Sequence, residues 1–343
     1  MRRGDLTDQQ WQRLEPLLPP EKPWTGRPNE DHRQILNGIL WIHRTGAPWR
    51  DLPRRYGPVG TVSSRFYRWR KAVIWQRILS DLQAEANQRG EIDWDLHFVD
   101  ATIVRAHQHA GGARRDGATP EEAQEREALG RSQGGFSTKL HLRAEGNGRP
   151  ITVLLTGGER NEQIALEAVL DQGAVRRPGR GRPRLRPRAA AGDKGYSSPT
   201  ARARLRRRHI RPVIPTRKDQ PRQRNFDRAA YRLRNKVERL INRLKQARRI
   251  ATRYEKRGDN YLAMVHIGMI LLWLKPSLFS GSGVVRCLTR PSRKRERQAE
   301  PCRGDGRCAR TGRNRDRTAV CLARCRGADA AKSAAATRSP RLY

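Results

Sequence analysis

The sequence predicts an α/β chain with a central mixed sheet flanked by helices, preceded by a small helical domain. Three observations carry this. Residues 1 to about 90 hold apolar stripes at helical spacing and no strand-like run. Leu96–Val104 is apolar on both faces, as a central strand is. After it come a hairpin pattern and then helical and strand stretches in alternation, closed by an apolar helix over Tyr261–Leu274. The expected domains are 1–90, helical; 91–280, sheet-bearing; and 281–343, a basic tail.

In the first domain, Thr7 with Gln10 three positions on forms a capping-box pattern. Trp11, Leu14, Leu17 and Leu18 give that helix its apolar face, and Pro19-Pro20 end it. A second helix runs from about Asn29 to Arg44 with Ile35, Ile39, Leu40 and Ile42 inward, stopped by Gly46 and Pro48. A third begins near Thr61 or Ser63, with Val62, Phe66, Val73 and Ile78 inward and Arg65, Arg68, Arg70 and Lys71 along it. Three short helices, the last basic and aromatic, resemble a helix-turn-helix, which makes those four cations candidate DNA contacts. A helical bundle solvated by arginines is the alternative.

Asp100 interrupts the Leu96–Val104 strand. A carboxylate inside an apolar strand is costly unless paired or bound to a metal, so Asp100 is a candidate site residue. Residues 106–135 are rich in Gly, Ala and charge and read as a mobile loop opened by His107 and His109. An i, i+2 histidine pair can ligate metal, but two solvated loop histidines are the commoner case. The hairpin follows: Ser137–Arg143, a turn at residues 145–148, and Ile151–Thr156, then a helix over Asn161–Leu170.

Residues 176–188 read as an extended basic linker. Its Arg180-Gly181-Arg182-Pro183 core is similar to an AT-hook, whose arginines enter a narrow minor groove; a solvated tether is the alternative. Ala189–Gly192 leads into Asp193, and the glycines on either side would let the backbone turn at a strand end and present that carboxylate. Pro199–Arg208 reads as a basic helix and Ile210–Pro215 as a strand.

Tyr231–Lys245 reads as one amphipathic helix. Val237, Leu240, Ile241 and Leu244 recur at i, i+3, i+4 and i+7 and form a buried stripe. Tyr231, Arg234, Glu238 and Lys245 form a polar column at its edge. A solvated helix would often pair Glu238 with a lysine four residues on, but that position is Asn242.

The formal charge of +39, from 73 Lys+Arg against 34 Asp+Glu, makes nucleic acid the default partner. The five cysteines all follow residue 280, form no paired C-x-x-C knuckles, and with no targeting segment in MRRGDLTDQQW point to a reduced cytosolic protein. The Tyr261–Leu274 run is short for a bilayer span and contains His266, so no membrane role is expected. From about Gly281, Arg, Ala, Gly and Cys dominate without aliphatic periodicity, as in a frame-shifted, read-through or nucleic-acid-binding tail.

The order of elements, with acids on the first strand, a later strand end and a late helix, is the layout of an RNase H-like fold. Over about residues 5–275 the chain resembles the DDE transposases of bacterial insertion sequences, in the insertion-sequence-four superfamily and nearest its insertion-sequence-five group. The phrases VDATIVRAHQHA, GDKGYSS, GGFSTKLHLRAEGNGRP, LTDQQWQRLEPLLPP and GAPWRDLP carry the likeness. So do Tyr231, Arg234, Glu238 and Lys245, at the spacing of the family's late-helix signature.

The resemblance implies that Asp100, Asp193 and Glu238 bind two divalent ions, magnesium or alternatively manganese. It implies that Tyr231, Arg234 and Lys245 contact DNA phosphates near the scissile bond. Cleavage at terminal inverted repeats, joining of 3′ ends to target DNA, a homodimer in a synaptic complex and a bacterial, nucleoid-associated location follow as expectations. A non-catalytic DNA-binding regulator or silenced relative, and an RNase H-like nuclease for branched DNA, are the competing readings. The long tail departs from the group's pattern, and 45 residues between Asp193 and Glu238 leave no room for a large inserted β-domain.

Overall fold

The structure, a computed structural model, describes residues 4–21, 31–113, 119–132, 134–221 and 223–275, all within one compact unit spanning Met1–Gly283. The expectations for residues 281–343 and the five cysteines lie outside the described residues. Helix α1 (Asp8–Leu14) starts on the predicted capping box: the Thr7 hydroxyl accepts the Gln10 N–H, and the Gln10 side chain accepts the Thr7 N–H. Helix α2 (His32–Thr45) opens on Asp31, whose carboxylate accepts two first-turn N–H groups. It stops at Gly46, where φ is 72°.

The third expected helix is two, α3 (Val59–Lys71) and α4 (Ile74–Gln88). The chain breaks at Val73, which takes a φ of 59° and is 49% exposed rather than inward. The reversal folds Trp75 back onto Phe66 and Trp69, with ring centroids 6.2 and 5.5 Å apart. Aromatic burial on the second helix outweighs continuation of the first.

Strand β1 (Leu96–Ala106) is the central strand. The expected loop after it contains α5 (Pro120–Glu127) and β2 (Gly130–Ser132). Polar anchors hold this segment, which no apolar pattern could announce: Glu127 Oε2 accepts the Gly258 N–H, and the Ala128 carbonyl accepts from Thr138 and Arg253. Next come β3 (Gly135–Ala144), β4 (Pro150–Gly157), α6 (Glu162–Asp171), β5 (Ala189–Ala191), α7 (Pro199–Arg207) and β6 (Arg211–Val213). The basic stretch before β5 is not an extended linker. A Val175–Arg184 bridge closes it into a loop, and Arg184 lies over the Trp94 ring.

The expected Tyr231–Lys245 helix is also two, α8 (Arg228–Arg232) and α9 (Asn235–Lys245). Short i+3 bonds tighten the turn between them, where Leu233 is 44% exposed and offers no apolar side to extend the stripe. The stripe itself is buried as expected, through Val237, Leu240, Ile241 and Leu244. Then come α10 (Arg248–Ala251), β7 (Thr252–Arg253) and α11 (Gly258–Trp273).

The sheet runs β2-β3-β1-β5-β6, with β4 on β3 and β7 on β1. β1 is antiparallel to β3 and parallel to β5, which makes the sheet mixed. Two cores flank it. One joins Ile39, Phe66 and Ile78 of the first helices to Phe98, Leu142, Leu240 and Met269, so the N-terminal helices and the sheet share apolar packing. The other, on the opposite face, holds Val99, Leu166, Val169, Ala190, Tyr196 and Leu205.

Candidate active site

Strand register brings the first two acids together. β1 and β5 are parallel, with Phe98 opposite Ala191. Asp100 and Asp193 each lie two residues beyond that pair, so they leave neighbouring strands on the same face. Asp100 is 9% exposed. Its Oδ1 accepts the Ala101 N–H at 2.9 Å, and its Oδ2 accepts Arg234 Nη1 at 2.9 Å. Asp193 stands where β5 ends and a short turn over Lys194–Tyr196 begins; its Oδ1 is buried without a hydrogen-bond partner.

The third acid, Glu238, sits in the first turn of α9 and is half exposed. Arg234, one turn earlier, ties it to the strand: Nη2 donates to Glu238 Oε1 at 2.5 Å while Nη1 holds Asp100. Arg234 thus joins Asp100 to Glu238, while strand register sets Asp193 on the strand beside Asp100.

Electrostatics follow from this packing. Burial pushes the Asp100 carboxyl above its ordinary range, Arg234 opposes the shift, and Asp193 adds to it. Burial works against the Arg234 charge, but Asp100 and Glu238 outweigh it and raise the pKa. The site is thus built around a cation. Its carboxylate oxygens are the hard donors that magnesium and manganese prefer, and the bare Asp193 Oδ1 is an unused donor. The residues fit a divalent ion in charge and donor chemistry. Among the described residues no three His, Cys, Asp or Glu side chains converge tightly enough to hold one ion, and Glu238 is bonded to the guanidinium.

A further acid, which sequence reasoning missed, is Glu162. It opens α6 behind the cap Asn161. A methyl group built on Gly195 would meet Glu162 Oε2 at 2.6 Å and Asp193 Oδ1 at 2.9 Å, so the two carboxylates flank one point that glycine leaves open. Burial raises the Glu162 carboxyl, and Asp193 and Asp100 raise it further against the pull of Lys139. An acid in a helix's first turn is so common that the sequence carries no distinguishing signal.

Comparisons with known proteins identify the family. Residues 95–274 match a family profile described as "Transposase DDE domain", and residues 6–79 match "Putative transposase of IS4/5 family". The chain belongs to the DDE transposases of insertion sequences. It is 36% identical over 121 residues to "Insertion element IS402 uncharacterized 16.2 kDa protein" of Burkholderia cepacia, which covers 34% of this chain and 80% of that protein. It is 33% identical over 135 residues to the "Putative transposase for insertion sequence element IS402" of the same organism, covering 39% of this chain and 62% of the relative. It is 40% identical over 110 residues to "Uncharacterized protein y4sN" of Sinorhizobium fredii (strain NBRC 101917 / NGR234), covering 32% of this chain and 83% of that protein. Among solved structures, the Mos1 strand transfer complex aligns over 65% of this chain and 79% of its own, at a TM-score of 0.22 and 9% identity. At that score the assignment rests on the sheet topology and the family match.

The cations expected to contact DNA are not equivalent in this transposase. Lys245 donates to Thr102 Oγ1 at 2.7 Å and to the Ile103 carbonyl at 3.1 Å, which sets it beside the strand that carries Asp100. Burial lowers its pKa. Tyr231 packs on Phe226, with ring centroids 5.4 Å apart. Arg68 and Lys71 are exposed on α3, as are Arg180 and Arg182 on the closed basic loop. Arg65 is not a surface cation: it is 4% exposed, hydrogen-bonded to His32 Nδ1 at 3.0 Å, and lies over Trp69. The i, i+4 apolar stripe of α3 carries it inward. Arg70 is turned to α11, where it pairs with Asp259 at 2.5 Å. The His107 and His109 rings lie 4.7 Å apart and tilted, and His107 stacks on Tyr254. No helix among the described residues is long and apolar enough to cross a membrane.

Proposed function

We propose that this transposase binds the terminal inverted repeats of its insertion sequence, cleaves DNA at the ends and joins the freed 3′ ends to target DNA. The observation that carries the reading is the placing of Asp100 and Asp193 on one face of adjacent parallel strands, with Glu238 tied to Asp100 through Arg234. Asp100, Asp193 and Glu238 would hold two magnesium or manganese ions. When bound, such ions activate the attacking oxygen and stabilise the leaving oxygen of an in-line phosphoryl displacement.

The chain's own residues supply the rest. Asp100 is oriented by the Ala101 N–H and by Arg234, so its carboxylate meets the site in one pose. Arg234 carries a charge that can pass from the carboxylates to a DNA phosphate once the acids are otherwise neutralised. Lys245, held at the β1 edge, and Tyr231 at the end of α8 would grip phosphates flanking the scissile bond. Arg68 and Lys71 on the N-terminal helices, and Arg180 and Arg182 on the basic loop, would track the duplex farther out. Residues 1–90 would serve end recognition and residues 91–280 catalysis, in a homodimer that pairs two ends.

The test is incubation of the full chain with DNA carrying its flanking terminal repeats and Mg²⁺. Nicking and joining are expected, and Asp100→Ala, Asp193→Ala and Glu238→Ala should each abolish both while sparing salt-sensitive binding. Cutting by all three variants would end the proposal. Binding without cutting by the wild-type chain would favour a DNA-binding regulator, and cutting without joining a nuclease.

A further inference from the structure

Glu162 approaches the candidate metal site from the face of the sheet opposite α9. Its Oε2 and Asp193 Oδ1 both lie within about 3 Å of the point a Gly195 side chain would occupy. Gln163 Nε2 donates to the Gly195 carbonyl at 2.8 Å, which pins the start of α6 to the turn after Asp193. The contact fixes the backbone from which the Glu162 side chain reaches toward Asp193.

An ordinary structural role for Glu162 is a first-turn acid paired with Lys139. That pair is loose, at 3.9 Å, and the short bond of the Lys139 ammonium goes instead to the Arg160 carbonyl, at 2.6 Å. Counted with Asp100, Asp193 and Glu238, Glu162 makes four carboxylates, among which Arg234 and Lys139 come within ion-pair distance.

A second observation points to a ligand. Tyr196 is 1% exposed, and its hydroxyl has no hydrogen-bond partner among the described residues. The charges that act on that hydroxyl are first Glu162, then Asp100 and Asp193. A buried phenol left without a hydrogen bond is costly unless a ligand brings a partner within reach. Glu162 also lines an open cleft of about 320 Å³ with Lys139, Arg160, Gly195 and Arg217, which gives solutes a path to it.

We propose that Glu162 is a fourth oxygen donor of the divalent-ion site, facing Asp193 across Gly195. The proposal rests on the reading of Asp100, Asp193 and Glu238 as metal ligands, and extends that set to an acid on the other side of the sheet. Carboxylate oxygens of this kind select a hard cation.

The experiment is Mn²⁺ binding to the full-length, DNA-free chain, followed by the electron paramagnetic resonance of free Mn²⁺. Glu162→Gln and Asp193→Asn should each weaken binding about tenfold or more. Glu167→Gln, on the same helix but paired with Arg204, should bind as the wild type does. Wild-type affinity in Glu162→Gln, alongside loss in Asp193→Asn, would overturn this inference and leave the three-acid site standing. A wild-type chain that binds no Mn²⁺ would overturn the metal-site reading and the inference with it. If circular dichroism shows that Glu162→Gln does not fold, Fe²⁺-directed backbone cleavage of the wild-type chain decides. Cuts around both Glu162 and Asp193 support the proposal, and cuts near Asp193 without any near Glu162 overturn it.

Discussion

Arg234 Nη1 lies 2.9 Å from Asp100 Oδ2, although the two residues are 134 positions apart in the chain. Their side chains are 17% and 13% exposed, so this is a largely desolvated pair. The other arm of the guanidinium holds Glu238, and one cation thereby balances two of the three acids proposed as metal ligands.

Replacing Arg234 should expose that balance. Arg234→Gln leaves Asp100 beside Asp193 without its counter-charge. In EDTA the variant is expected to lose about 2–3 kcal/mol of stability in urea unfolding, the cost of a buried carboxylate stripped of its charged partner. Millimolar Mg²⁺ should restore more stability to the variant than it adds to the wild type. Equal Mg²⁺ shifts in both proteins would mean that guanidinium and ion do not share the site.

The pH dependence of stability without metal has a definite sign. Burial raises the Asp100 and Glu162 carboxyls above their ordinary values of 3.8 and 4.5. The folded chain then holds protons that the unfolded chain has released. The stability linked to these two groups is present below the ordinary values and is lost as pH rises through the raised ones. Urea midpoints in EDTA should therefore carry a falling component from the ordinary carboxylate range toward neutrality, and Asp100→Asn should flatten it. An unchanged pH profile in Asp100→Asn would count against a raised Asp100.

Gly195 offers a test that leaves every acid in place. Its φ lies outside the left-handed region, so alanine is tolerated by the backbone. The added methyl would nonetheless sit 2.6 Å from Glu162 Oε2 and 2.9 Å from Asp193 Oδ1, closer than carbon and oxygen can pack. Gly195→Ala is expected to fold, to lower Mn²⁺ affinity about tenfold and to slow end cleavage in proportion. Wild-type affinity would show that the spacing of those two carboxylates does not matter.

Two cations should separate by their salt dependence. Lys245→Ala is expected to weaken DNA binding alike across sequences and to reduce the slope of log affinity against log salt by about one, the mark of one lost phosphate contact. Arg65→Ala should leave that slope unchanged and cost about 2 kcal/mol of stability, through the lost bond to His32 and the lost cover on Trp69. A reduced slope in Arg65→Ala would place that side chain on DNA despite its burial.

Sequence alone determined most of the elements, because their causes are local. The Thr7–Gln10 box, the Gly46 stop and the Val237–Leu244 stripe are each encoded within a few residues, and each stands where periodicity put it. Asp100 was legible because a charge inside an apolar strand is conspicuous. The α3–α4 break at Val73 and the α8–α9 break at Leu233 were not legible, since the apolar spacing on either side of each is compatible with one continuous helix. The inward turn of Arg65 was hidden because its partner, His32, lies on another helix. Only the tertiary structure placed Glu162 opposite Asp193 and the Arg234 guanidinium between Asp100 and Glu238. Periodicity reports which side of its own element a residue faces. Strand register and the docking of helices on two faces of a sheet decide which acids meet.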